Sequence, residues 1–169
     1  GRTRFTKGKG NLRVQLIEGN AEVKEHEGRM ALQTFKGSVL LEKNKGDLVM
    51  DNHSALYTLK GHQGPVEYNN HSGSTNLKDV KGNVSVKNVS GVVRIRNLDG
   101  SLQGDFSKGT LDAKMKTLQN VSVNSDEARV VLDAPKESGA LVLLRSEKGR
   151  MSAPIHLRKH KKGRWTERK

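Results

Sequence analysis

GNVSVKNVS (82–90) runs directly into GVVRIRNLD (91–99), and the two stretches decide how the rest of the chain is read. Each opens on glycine, places apolar residues two and four positions later, and puts a basic residue at the fifth. Apolar and polar residues that alternate over about five positions describe a strand with one buried and one wet face. A 3.6-residue helical period could not keep positions two and four apolar while position five stays polar. The glycine marks a turn, where the backbone takes a positive φ or passes close to its neighbour.

Working outward, the same unit recurs through most of the chain. Gly10, Gly19, Gly28, Gly37, Gly46, Gly64, Gly73, Gly82, Gly91, Gly100 and Gly109 fall on one nine-residue register, with Ala55 in the single gap. Position two reads Leu12, Ala21, Met30, Val39, Leu48, Tyr57, Val66, Thr75, Val84, Val93, Leu102 and Leu111, and position four is apolar at a similar rate. Asn70, Asp79, Asn88 and Asn97 cluster before the glycines, as residues that bond locally to turn backbone do. Ile17, Val80, Val89 and Leu98, at position seven, are expected to fill corners. Units this short cannot bury a core alone and must stack. The expected fold is therefore all-β, a β-solenoid of nine-residue strand-turn repeats. A coil holds two units (18 residues) or three (27). Eighteen is favoured because it collects Lys24, Glu42, Lys60, Lys78, Arg96 and Lys114 on one, mostly basic face, leaving Gln15, Gln33, Asp51, Asn69, Lys87 and Asp105 on the other. An antiparallel meander of short hairpins is the competing topology.

The expected organisation is a single domain over 1–169: a leading strand or cap (1–9), a regular array (10–117), irregular strands (118–157) and a basic tail (158–169). Phe5 is expected to cover the first coil. Leu118 stands where a glycine is due, the apolar positions slip to Val121 and Val123, and broader coils or an edge sheet follow. No apolar run approaches the ~20 residues of a membrane span. The chain begins at Gly1 rather than Met, which suggests a processed form from which a signal or anchor was removed.

The 169 residues carry 31 Lys and Arg against 18 Asp and Glu, a net charge of +13. Such a surplus favours polyanionic partners such as acidic polysaccharides. The ladder of Lys24, Lys60, Lys78, Arg96 and Lys114 is the candidate binding surface, with Trp165 of the basic tail as an anchor. Nucleic acid is not expected, because the basic residues are not interleaved with exposed aromatics and no recognised motif is present. The absence of cysteine excludes disulfides and thiolate chemistry. His53 and His71 should stack in an 18-residue coil, a weak candidate for a divalent metal, while His26 and His62 flank Asn44. Glycines are single and aspartates do not recur in one column, so a calcium-binding solenoid is not expected. No cofactor is indicated, and no catalytic motif rises above background.

The glycine-led rhythm, best preserved in residues 73–99, resembles a bacterial adhesin-like family of domains of unknown function and the head domain of autotransporter adhesins. RVVLDAPKESGALVLLRSEKGRMS (129–152) resembles that family's later strand, proline-bearing turn and following glycine unit. The resemblance implies a repeat-built fold, a right-handed β-helix, in an envelope-associated protein of the bacterial periplasm or cell surface, and it supplies no catalytic residues. Bactofilins, which polymerise from small β-helices, are a second resemblance. The expected function is thus a non-enzymatic structural or adhesive module, with a self-assembling scaffold and a polysaccharide-active enzyme as alternatives.

Overall fold

A computed structural model describes residues 1–135, 141–153, 159–162 and 165–168, with side chains described through Ala153, Leu118 excepted. All regular structure in it is β. The strands are β1 (Arg2–Thr6), β2 (Leu12–Lys24), β3 (Met30–Glu42), β4 (Leu48–Asn52), β5 (Leu56–Lys60), β6 (Val66–Asn70), β7 (Ser74–Lys81), β8 (Val84–Asn88), β9 (Val92–Phe106), β10 (Thr110–Ser125), β11 (Arg129–Asp133), β12 (Val142–Ser146), β13 (Arg150–Ser152), β14 (Lys159–Lys162) and β15 (Trp165–Arg168).

The coils stack in parallel, which excludes the meander. From Arg2↔Asn20 to Arg96↔Lys114 each residue of a strand pairs with the one eighteen positions later. The result is a β-solenoid of about eight turns. Two sheets result. Sheet I takes the first parts of β2 and β3, then β4, β6 and β8, the last parts of β9 and β10, and β12. Sheet II takes β1, the last parts of β2 and β3, then β5 and β7, the first parts of β9 and β10, and finally β11 and β13. The coil then widens. After register shifts between Lys114 and Val121, the partner lies nineteen residues on at Leu102↔Val121 and twenty-one on at Val121↔Val142. Residues 158–169, read as a tail, contain the antiparallel pair β14–β15, and Arg168 of β15 bridges to Leu144 of β12.

The core lies between the two sheets. From the second coil onward the position-two and position-four columns are buried, with Tyr57, Tyr68, Leu41, Leu59 and Ile95 fully enclosed. Where position four shrinks to Gly104, Phe106 turns inward, and its ring occupies the space a Cβ at that glycine would need. Phe5 remains 40% exposed on β1, so it does not seal the first coil.

The glycine column has a direct steric cause. Gly46 has φ +121°, and a Cβ there would lie 2.3 Å from the carbonyl oxygen of Gly28 in the coil before. Only glycine avoids both the positive-φ penalty and that collision. Ala55 stands at the other corner, where the backbone at Ala55, Gly73 and Gly91 has no positive φ and an asparagine braces the turn. Asn52 Oδ1 accepts a hydrogen bond from Ala55 N–H (2.7 Å), while Asn52 Nδ2 donates to the Ala55 carbonyl (2.8 Å).

Candidate functional site

Each coil has two corners, and they are built differently. After sheet II, position six adopts the left-handed conformation in Lys7, Glu25, Lys43, Asp79 and Asn97 (φ 54–60°), and in Gly61. This breaks the in-out alternation, so position seven points inward. His26, Asn44, His62, Val80 and Leu98 are consequently buried in one column. His26 N–H donates to Asn44 Oδ1 (2.8 Å), and its Nε2 donates to the Gly10 carbonyl (2.9 Å). Among the described residues neither ring nitrogen of His62 has a hydrogen-bond partner, although the ring is fully buried. Burial lowers its pKa, and the nearby carbonyls of Gly46, Pro65 and Asn44 offset this only in part.

After sheet I the alternation continues unbroken. Position six turns inward as Thr34, Asn52, Asn70, Asn88, Phe106 and Ser125, all buried. Asn70 Nδ2 donates to the Gly73 carbonyl (3.0 Å) and to Asn88 Oδ1 (2.6 Å), and Asn70 Oδ1 accepts from Gly73 N–H (3.1 Å). Position seven therefore points outward. Ile17 and Val89, expected as corner filler, are 84% and 47% exposed, whereas Val80 and Leu98 are fully buried at the opposite corner. Ile17, Phe35, His53, His71 and Val89 form one column up the rod. The His53 and His71 rings stack 4.8 Å apart and 3° from parallel, and Phe35 packs on the other side of His53 at 5.3 Å. Ser54, Ser72 and Ser90 hydroxyls each donate to a carbonyl of the preceding coil, those of Phe35, His53 and His71.

Beside this column runs the outward ladder of sheet I, Gln33, Asp51, Asn69, Lys87, Asp105 and Asn124. Asn69 Nδ2 donates to Asp51 Oδ1 and Asn124 Nδ2 to Asp105 Oδ1, both at 2.9 Å. Between column and ladder lies an open groove of about 570 Å³, to which Asp126 adds a third carboxylate. Six rungs at ~4.8 Å make it ~24 Å long. The groove lies on the face of mixed charge, where the residue pattern alone does not point to a binding surface. Its signal was a recurrence at every second unit: Asn-His-Ser-Ala (52–55), Asn-His-Ser-Gly (70–73) and Asn-Val-Ser-Gly (88–91).

The basic ladder does form a column on sheet II, but the structure corrects its electrostatics. The stacking order is Lys24, Glu42, Lys60, Lys78, Arg96, Lys114, Asp133. Lys24 Nζ meets Glu42 at 2.7 Å and Glu22 at 2.8 Å; Lys60 is 3.6 Å from Glu42 and Lys114 is 3.8 Å from Asp133. Arg96 binds Asp112 through both carboxylate oxygens, at 3.0 and 2.5 Å. Glu22 also receives Arg2 and Arg4, and Lys24 together with Arg4 holds its carboxyl down at about 2. Lys24 likewise lowers Glu42, and Arg96 lowers Asp112. Among the described residues Lys78 is the one ladder cation without an ion pair. Nor does the chain's charge surplus rest on this face: residues 158–169 hold seven basic residues against Glu167, so six of the thirteen surplus charges are there. The side chain of Trp165 lies outside the described residues.

Two further arrangements are constrained by geometry. A metal sits in the plane of each imidazole that binds it, ~2 Å from nitrogen. The parallel, stacked planes of His53 and His71 do not meet, so the pair cannot aim two nitrogens at one ion in this arrangement. Asp51 and Asp105 stand three rungs apart, ~14 Å at ~4.8 Å per coil, beyond the ~5–9.5 Å that separates glycosidase carboxylates. Lys87 neighbours Asp105 directly, whereas Lys60 belongs to the other sheet.

No protein-family model matches the chain, and no curated protein or solved structure matches it.

Proposed function

We propose that the chain is a non-enzymatic, rod-like adhesive module of the bacterial cell envelope that binds an extended glycan along its axis. Its binding surface is the groove of sheet I rather than the cation ladder of sheet II. One observation carries this reading: the groove sets hydrogen-bonding side chains at one-coil spacing along its length, with Asp51, Asn69, Lys87 and Asp105 on one wall and the histidine stack on the other. A periodic site suits a periodic ligand. Stacked parallel strands also make a stiff support, since each coil is hydrogen-bonded to the next along both sheets. The ladder of sheet II is a poorer candidate because four of its five cations, Lys78 excepted, already have carboxylate partners.

Retention of the purified chain on immobilised polysaccharides tests the reading. Asn69→Trp places a large ring in the groove without touching the core, and it should abolish retention. Lys60→Glu combined with Lys78→Glu should leave retention intact. Retention that survives Asn69→Trp but disappears with the lysine pair would reject the groove.

A further inference from the structure

The lining of the groove specifies which kind of glycan it takes, and the inference rests on the reading above. We infer that the ligand is an uncharged, extended, β-linked polysaccharide lying parallel to the rod axis, with about one sugar residue per coil.

Three observations carry it. The first is charge. The groove exposes the carboxylates of Asp51, Asp105 and Asp126 against the single ammonium of Lys87. A uronate or sulfated chain would meet net repulsion there. Carboxylate oxygens accept hydrogen bonds and donate none, so they need a ligand rich in donors. Each of Asp51 and Asp105 spends one oxygen on a neighbouring amide, leaving the other free for a sugar hydroxyl.

The second observation is the orientation of the rings. His53 is covered by Phe35 on one side and His71 on the other. Its faces are taken, and its edge is what the groove receives. A neutral imidazole edge offers one donor and one acceptor, which is the hydrogen-bonding character of a hydroxyl group. The stack therefore reads hydroxyls, while half-exposed Phe35 and Val89 supply apolar contact at either end for the C–H faces of the sugars.

The third is the repeat. The coils rise by ~4.8 Å, close to the advance of one β-1,4-linked hexopyranose in an extended chain. Successive sugars advance at nearly the spacing of successive rungs, so each can meet one rung without either partner bending. The buried floor, including Asn70, Asn88 and Phe106, holds those rungs in place.

Calorimetric titration with soluble hexasaccharides tests the inference. The probes are the β-1,4-linked hexamers of glucose, mannose, xylose and N-acetylglucosamine, with β-1,4-linked hexamannuronate as the anionic counterpart. At least one neutral hexamer should bind, and its trimer should bind more weakly because it spans half the groove. His53→Ala with His71→Ala should weaken binding about tenfold or more, as expected for losing one or two hydrogen bonds. Both residues are exposed, and an unchanged thermal midpoint verifies the fold of the variant. Binding of hexamannuronate alone, abolished by the histidine pair, would overturn the uncharged-ligand inference and leave the groove as the binding site. Binding of no hexamer, or binding indifferent to the histidine pair, would overturn both.

Discussion

His53 and His62 stand at position seven of consecutive repeats, yet His53 is exposed in the groove and His62 is fully enclosed. The difference comes from the residue just before each. Asn52 keeps an extended conformation, turns its amide inward and caps the corner, so the next side chain points out. Gly61 takes φ +67°, and the next side chain swings in. One corner thus spends its inward position on an amide ladder and exposes position seven along the groove. The other exposes its left-handed residue and spends position seven on the core. The lesson is that equal positions in a nine-residue repeat are not equal positions in an eighteen-residue coil.

The largest expected effect breaks the glycine side of this comparison. Gly46→Ala should cost ~3 kcal/mol or more, because positive φ and a backbone collision act together. Ala55→Gly, at the amide-capped corner, should cost only ~1 kcal/mol through added unfolded-state freedom. Urea unfolding measures both; similar costs would mean that the two corners are not built by different devices.

Asn70→Ala removes a cap from the groove corner and leaves buried backbone groups unpaired, for an expected loss of ~2–3 kcal/mol. Asp79→Ala, in the left-handed place of the opposite corner, should cost ~1 kcal/mol, since Asp tolerates that conformation better than Ala does. Chemical unfolding of the two variants side by side gives the ranking, and the reverse order would refute the assignment of the amide ladder.

The smallest effect concerns the buried ring. Burial depresses the pKa of folded His62 below its ordinary value near 6.5, so below that pH the unfolded chain binds the extra proton. The contribution is fully present above pH ~6.5 and is lost as pH falls toward the depressed value, with a slope of at most ~1.4 kcal/mol per pH unit. The pKa values of Glu22, Glu42 and Asp112 are lowered in the same direction, by neighbouring cations rather than by burial, and these groups also weaken the fold in acid. Their contributions are present above the ordinary carboxylate range and are lost as pH falls through their depressed values, about 2 for Glu22. The interval from pH 6.5 to 5.5 therefore isolates His62 from them. His62→Val copies the valine that the next coil carries as Val80 and should flatten stability across that interval. An unchanged slope would show that His62 does not carry it.

Much of the fold was legible in the residues. The position-two and position-four columns predicted the buried stripe from Met30 to Leu111, and the single substitution at Leu118 marked where the coil begins to lengthen. The stacking of His53 on His71 and the placing of His26 and His62 on either side of Asn44 also followed from an eighteen-residue coil. The site was much less legible. Glu42 was legible beside Lys24 in an eighteen-residue coil, but Glu22, two residues back and buried under Arg2, Arg4 and Lys24, was not. Ile17 and Val89 read as corner filler together with Val80 and Leu98, because nothing in their own identity says which corner they occupy.

What the residues alone determine is periodicity: glycine where a coil must pass close to its neighbour, apolar side chains at alternate positions, and a turn between. These follow from local sterics and from the need of short units to bury one face together. What only the stacked structure decides is the direction of the corner side chains and the partners of the charges. Both depend on residues eighteen positions away: the left-handed corner is held by hydrogen bonds to the adjacent coil, and an ion pair exists only when a neighbouring rung supplies the opposite charge.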